Sequence, residues 1–308
     1  MTDDALRGRR VFVTGAGGFV GGRLVARLEQ EGASVIATDL DLDVSDPSRV
    51  ASALAGARPH AVVHLAAVSF VPESLERPEA TWRVNYLGAR SVLEGSLHLA
   101  SRPRVLLVGS STIYGSTEPG AAPFDEGSPL LPASPYAWTK AAADLLGAVY
   151  ARRGLEVVRA RPFNHTGAGR PERFVESSFA RQIAEIEAGR RPPEIAVGNL
   201  DAVRDFLHVD DVVDAYLRLL DPAVPPGPYN VASGRATPVR ALLDGLLAES
   251  KASPVIRREH ARWRRADALV GSAARLSEAT GWRPARSLDE TMRELLRDWR
   301  QRVAETAC

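Results

Sequence analysis

Tyr136 and Lys140 stand four residues apart in Ser134-Pro135-Tyr136-Ala137-Trp138-Thr139-Lys140. On a helix that spacing puts both side chains on one face. A lysine ammonium beside a phenol favours the phenolate, so the tyrosine becomes an acid/base usable near neutral pH. The chain also opens with a glycine-rich stretch, Gly15-Ala16-Gly17-Gly18-Phe19-Val20-Gly21. Together these imply a hydride and a proton moved on the same carbon–oxygen bond. A Tyr-x-x-x-Lys spacing alone is frequent on helix surfaces, so its companions decide the matter.

The elements that must position these residues alternate strand and helix. Arg10–Thr14 reads as a buried strand, Phe19 to Glu31 as a helix, Ser34–Thr38 and Ala61–His64 as strands. A long helix from about Glu79 to Ala100 leads to the strand Arg104–Val108. The Tyr136/Lys140 helix and the strand Glu156–Ala160 follow. Short apolar runs joined by helices imply parallel strands with right-handed crossovers, an α/β doubly wound sheet of Rossmann type. After Pro162 the rhythm changes: helices are expected near Glu176–Ala188, Val209–Leu220, Pro238–Glu249 and Leu288–Val303, with short strands such as Glu194–Val197. The organisation expected is a dinucleotide-binding domain over 1–165. A smaller α/β substrate lobe follows over 166–308, with some segments returning to the first.

The glycines at 15, 18 and 21 follow the first strand directly and permit a tight turn with close approach of backbone amides to a diphosphate. The helix that begins there adds the positive end of its dipole. Gly15, Gly18, Phe19, Val20 and Gly21 are therefore candidate cofactor contacts. Asp39, just past the second strand, can accept hydrogen bonds from the adenosine ribose hydroxyls and would repel the 2′-phosphate of NADP. Leu40 follows it where an arginine would welcome that phosphate, so NAD(H) is expected over NADP(H). Arg23, just inside the helix, is the residue that could upset this expectation. Asp43 and Val44 are placed at the adenine edge, with a solvated loop acid as the alternative reading.

Composition sets the outer bounds. The 308 residues are 45% hydrophobic and 25% charged with a formal net charge of +1, ordinary for a soluble globular protein. That balance gives no electrostatic case for nucleic acid or membrane. No apolar stretch is long enough to span a bilayer, and Met1-Thr2-Asp3-Asp4 does not look like a secretion signal. The single cysteine, Cys308, precludes an intramolecular disulfide, and no His/Asp/Glu grouping has metal-ligand spacing. Cytoplasmic location and no metal are the expectations.

The glycine loop, His64-Leu65-Ala66-Ala67, Asn85, Ser110-Ser111-Thr112-Ile113-Tyr114-Gly115 and Tyr136-x-x-x-Lys140 resemble the extended short-chain dehydrogenase/reductases that act on nucleotide sugars. The likeness covers nearly the whole chain, with the motifs in the family's order. Ser69-Phe70-Val71-Pro72-Glu73-Ser74, Arg161-Pro162-Phe163-Asn164-His165-Thr166-Gly167 and Val197 to Phe206 resemble more narrowly the GDP-mannose branch. That branch holds the reductases of GDP-6-deoxy-4-keto-D-mannose and their 4,6-dehydratase relatives. The resemblance implies that Ser110 bonds the sugar C4 oxygen, Tyr136 exchanges its proton and Lys140 holds the nicotinamide ribose. It puts Leu65, Ala66, Ala67 and Asn85 beside the cofactor. Ser69, Ser111, Asn164, Val197, Arg204 and Arg262 fall beside the substrate, Asn164 and Arg204 on its phosphates. Turn and surface ion-pair roles are the alternatives for Asn164 and Arg204, and His64, His165 and His208 read as structural. A homodimer through the helices near 79–100 and 134–153 is the family's usual assembly.

The residues after Ser110 separate the reactions. Dehydratases of this family carry an acidic residue two positions after the serine or threonine. Here Ser111 and Thr112 cannot serve as carboxyl acid/bases, which disfavours 4,6-dehydration. Two reactions remain. One is reduction of a nucleotide-linked 4-keto-6-deoxyhexose, GDP-4-keto-6-deoxy-D-mannose to GDP-D-rhamnose being the family's expectation; the other is 4-epimerisation with tightly bound NAD. A non-catalytic dinucleotide sensor is the remote alternative, since such members lose the tyrosine. One departure bears on the base: the branch places an acid three residues after its arginine, whereas this chain reads Arg262-Trp263-Arg264-Arg265, with Asp267 close by.

Overall fold

A computed structural model describes residues 6–259 and 267–306. Its centre is a six-stranded, wholly parallel sheet. Strands β1 (Arg10–Thr14), β2 (Ser34–Thr38), β3 (Ala61–His64), β4 (Arg104–Val108) and β5 (Val157–Pro162) lie in the order β5-β4-β3-β1-β2. The sixth strand, Gly227–Val231, comes from the second half of the chain and pairs with β5, Gly227 opposite Val158. Parallel strands covered on both faces need apolar side chains on both. Accordingly Val11 and Val13 join the core under helix α1 (Phe19–Gln30) and the helix Val209–Leu219, with Trp282. Phe12, between them, points into the opposite core, with Val50, Leu54, Val92, Leu93 and Tyr150.

A separate core underlies the second half of the chain. Phe179 and Ile183, Val197, Leu242 and Leu246, and Leu295, Leu296 and Trp299 pack together from three helices and a strand, Glu194–Val197. Three small sheets dress this half: Val203–Arg204 between Thr237–Pro238 and Ala268–Leu269, Glu194–Val197 with Val255–Arg258, and Asn164–Thr166 with Phe206–His208.

The sequence reading of one long helix over Glu79–Ala100 needs correction. The chain makes an α-turn at Pro78–Trp82, a π-helical turn at Arg83–Leu87 and a further α-helix at Gly88–Leu97. The π-turn widens the coil where Asn85 faces inward, and such widened turns recur at functional sites. A helix at Pro47–Ala57 was not anticipated, although its start is written in the sequence. Pro47 takes the first turn and Asp46 accepts from the amides of Ser48 and Arg49 at 2.9 and 3.1 Å. No helix among the described residues is long and apolar enough to cross a membrane.

Candidate active site

Every strand of the main sheet ends on one side, and the residues singled out above gather along that rim. Gly15 leaves β1 with φ +72°, and a Cβ there would stand 2.7 Å from the amide nitrogen of Ala66. Only glycine combines that backbone with that approach. Gly21, in the first turn of α1, lies so close to the carbonyl of Gly15 that any side chain would collide with it. Gly18 caps the helix without a side-chain bond, so the positive helix end is open to an anion. Phe19 and Val20 begin the helix itself.

Asp39 folds its carboxylate against Gly17, where a Cβ would overlap it, and its amide donates to Asp41 at 2.6 Å. This cradle of bare backbone with a carboxylate at its far end fits a dinucleotide, diphosphate on the glycines and ribose on the acid. Arg23 is turned away from it, bonding Asp210 at 2.8 Å and the Ala168 carbonyl at 2.7 Å. Asp43 accepts from the Ser45 hydroxyl and amide, chiefly the hydroxyl, which holds it below the usual carboxylate range. Val44 is buried against Gly88. Its side chain is packing, and only the neighbouring Asp43 is left to face an adenine.

Behind the cradle the groups are buried and bonded to one another. The Thr14 hydroxyl meets Nδ1 of His64 at 2.8 Å and accepts from the Ala66 amide at 3.4 Å. Burial, aided by the Lys140 charge, drives His64 down to about 3, so the ring is neutral. Leu65, Ala66 and Ala67 are half-buried along this turn. Asn85 accepts from the Val68 amide at 2.8 Å and donates to the Val68 carbonyl and to Thr139 at 3.1 and 3.0 Å. Its side chain therefore straps the loop after β3 to the helix Pro135–Arg152, which carries Tyr136 and Lys140.

That helix starts where Ser134 accepts from the Ala137 amide at 3.1 Å and Pro135 takes the first turn. Tyr136 and Lys140 are both buried on its inner face. Burial raises the Tyr136 phenol; a bond from Ser110 and the positive charge of Arg170 oppose the rise. The sequence reading gave that charge to Lys140. Instead Lys140 donates to the Val108 carbonyl at 2.9 Å, and burial lowers it to about 8. Ser110 also shares a hydrogen bond with Thr112 at 2.9 Å. Thr112 is the half-exposed member of this stretch, whereas Ser111, expected at the substrate, is only 2% exposed. One turn of 3-10 helix after an N-capping serine turns position 111 inward and 112 outward, a signal the sequence reading did not use.

A buried network fixes the serine loop to the helix that carries Tyr136 and Lys140. Arg161 grips both oxygens of Asp144 at 2.8 and 2.9 Å and donates to the Tyr114 hydroxyl at 2.8 Å. Tyr114 in turn donates to Asn230 at 2.7 Å.

Across the cleft the expected substrate residues are scattered. Asn164 is half-buried in its short strand, and Ser69 is exposed. Val197 is wholly buried in the second core and offers no side chain to a ligand, a correction to the expectation. Arg204 bonds the Asp267 carboxylate at 2.8 Å and its carbonyl at 3.0 Å, not Asp205. Asp205 is buried and gathers the amides of Ser233, Gly234 and Gly271. Arg262 lies outside the described residues. Sequence reasoning missed Arg170, whose guanidinium lies over the rings of Phe19 and Phe174 at the start of the second lobe. No group of three acidic, histidine or cysteine side chains suited to a metal occurs among the described residues.

The profile of the NAD dependent epimerase/dehydratase family matches residues 11–232. GDP-6-deoxy-D-mannose reductase of Pseudomonas aeruginosa is 36% identical over 302 residues, 96% of this chain and 99% of that protein. The structure of RMD from Pseudomonas aeruginosa complexed with NADPH superposes with a TM-score of 0.88 at 35% identity, covering 96% of this chain and 99% of that one. UDP-glucose 4-epimerase of Thermus thermophilus with NAD gives 0.84 at 26% identity, covering 94% and 99%.

Proposed function

Since the chain belongs to the NAD dependent epimerase/dehydratase family, we propose that it reduces the 4-keto group of a nucleotide-linked 4-keto-6-deoxyhexose. The substrate in this reading is GDP-4-keto-6-deoxy-D-mannose and the product GDP-D-rhamnose. The observation that carries it is the hydroxyl pair Ser110–Thr112 beside Tyr136, in a chain similar over its length to a GDP-6-deoxy-D-mannose reductase. The two hydroxyls suit a developing C4 alkoxide; a carboxyl group for eliminating water from C5 and C6 is not provided by positions 111 and 112.

The reduced dinucleotide, when bound, supplies the hydride. Tyr136 then gives its phenolic proton to the C4 oxygen, which Ser110 holds with Thr112 behind it. The charge of Arg170 favours the tyrosinate left behind. Lys140, fixed by the Val108 carbonyl, has two further donors for the nicotinamide ribose. Asp39 and Asp41 favour NADH, because a 2′-phosphate would meet two carboxylates while Arg23 is committed elsewhere. A homodimer through the catalytic helix is supported by Trp138, Leu145 and Val149, a half-exposed apolar stripe at spacings of seven and four.

The test is incubation of the purified protein with NADH or NADPH and GDP-4-keto-6-deoxy-D-mannose, followed at 340 nm. Stoichiometric oxidation with NADH preferred is expected. Tyr136→Phe should bind cofactor normally and turn over about 10³-fold more slowly. Interconversion of a nucleotide hexose without added cofactor would establish the epimerase reading instead.

A further inference from the structure

Between the serine turn and the helix Pro135–Arg152 the chain runs out to the second half of the molecule and back. It leaves at Gly115, where φ is +80° and a Cβ would stand 2.6 Å from the Leu131 carbonyl. It returns at Leu131, whose amide donates to the Ile113 carbonyl at 2.9 Å. On the way it is pinned to the segment 268–272. Thr117 and Ala268 exchange both backbone bonds, at 2.9 and 2.7 Å. Phe124 gives its amide to the Val270 carbonyl and takes the Ser272 amide on its own carbonyl, both at 2.8 Å. The strand Ala268–Leu269 lies in turn against Val203–Arg204, with Leu269 opposite Arg204.

From Glu118 to Asp125, Phe124 is the one residue that is not exposed. Its ring stacks on Tyr114, the centres 5.1 Å apart and the planes 8° from parallel. Asn230 doubles the tie, accepting from the Tyr114 hydroxyl at 2.7 Å and donating to the Phe124 carbonyl at 3.0 Å. Tyr114 is the last residue of the 3-10 turn that follows Ser110. A single such turn, with its poorer hydrogen-bond geometry, does little to hold itself. It is held from behind instead, where Ile113 and Tyr114 share a small core with Ala141 and Leu269 and Phe124 packs against it.

We propose that Phe124 is a positioning residue for the reduction: it sets the span between the Ser110–Thr112 hydroxyls and Arg204, and so seats the C4 oxygen while the diphosphate is held at the other end of the substrate. This rests on the reductase reading above, with Arg204 as the phosphate contact. A misplacement of about 1 Å at the reacting end costs on the order of 10²-fold in rate, while the far end of the ligand is still bound. A displaced turn has a second signature. The bond from Ser110 opposes the rise that burial imposes on the Tyr136 phenol, so its loss makes Tyr136 titrate at higher pH.

Single-turnover oxidation of NADH with saturating GDP-4-keto-6-deoxy-D-mannose is followed across pH in the wild type, Phe124→Ala, Phe124→Leu and Phe124→Tyr. KM for the sugar and Kd for NADH and GDP are measured beside it. Phe124→Ala should lower the rate about 10- to 100-fold and move the alkaline limb of the profile to higher pH, with KM and both Kd values within about twofold. Phe124→Tyr keeps the stacked ring and should restore the wild-type rate and profile. Phe124→Leu keeps apolar bulk without the ring plane; it should fall between the two, and it carries the test if the alanine variant does not fold. A wild-type rate in both the alanine and leucine variants overturns the proposal. So does a lost rate with the alkaline limb unmoved, and so does a loss in which KM and both Kd values rise in step, since either makes Phe124 a structural residue only. Wild-type protein that oxidises no NADH with this substrate sinks the reductase reading itself, and the proposal with it.

Discussion

On the first-lobe wall of the cleft, Thr14, His64, Asn85, Thr139 and Lys140 are all buried and bonded within the protein, without a carboxylate among their partners. On the second-lobe wall, Arg173 and Arg204 both reach a carboxylate, Glu73 and Asp267, and stay partly open to solvent. The difference is one of exchangeability. A buried network bonded within the protein holds a shape and resists change, since any partner removed leaves a buried group unpaired. An arginine on a part-exposed carboxylate can trade it for a phosphate at little cost. The first wall suits a cofactor of fixed form; the second suits a ligand whose base and sugar vary.

Breaking the foundation of the first wall should have the largest effect on stability. Arg161→Met takes the bidentate partner from a fully buried Asp144, leaving it Arg159 at 2.8 Å, and should destabilise by about 2–3 kcal/mol, read as the shift of a urea midpoint. Gly15→Ala follows: φ +72° and the close Ala66 amide should raise the Kd for NADH at least tenfold in a fluorescence titration, with the second wall's GDP binding unmoved. The first wall should also be acid-sensitive. His64 is held near 3 when folded and titrates near 6.5 when unfolded. The unfolded chain therefore binds more protons between those values, and stability falls as pH drops through that window. His64→Asn should flatten the dependence of Tm on pH from 6.5 to 4. The smallest stability change belongs to the second wall. Arg204→Ala should shift Tm by no more than about 1 kcal/mol would, yet raise KM for the nucleotide sugar. A Tm loss as large as that of Arg161→Met would erase the contrast between the walls.

This contrast also separates what was legible in the sequence from what was not. β1, β3 and β4 fall where apolar runs place them, because strands buried on both faces must be largely apolar. Gly15, Gly21 and Asp39 sit where a local strand–loop–helix grammar puts them. Thr112 rather than Ser111 facing the cleft depends on one 3-10 turn, and the inward Asn85 on a π-turn; neither has a period that a helix template detects. Arg204 pairs with Asp267 across 63 residues, and Arg170 meets Phe19 across the cleft. Such partners are set by tertiary packing, which a window along the chain does not contain. Val197 looked like a ligand residue only because it begins a motif, while its period-2 position turned it into the core.

The strand Gly227–Val231 and the helix Val209–Leu219 carry a consequence for how such proteins diversify. Both come from the second half of the chain, yet one edges the main sheet and the other covers its face. A recombination near residue 165 would thus exchange, along with a substrate wall, the partner of β5 and the residues Val212, Tyr216 and Trp282 of the shared core. Hybrid genes would inherit a mismatched interior before they inherited a new preference. New sugars are reached more readily by single exchanges among the arginine–carboxylate pairs, each of which leaves the common interior as it was.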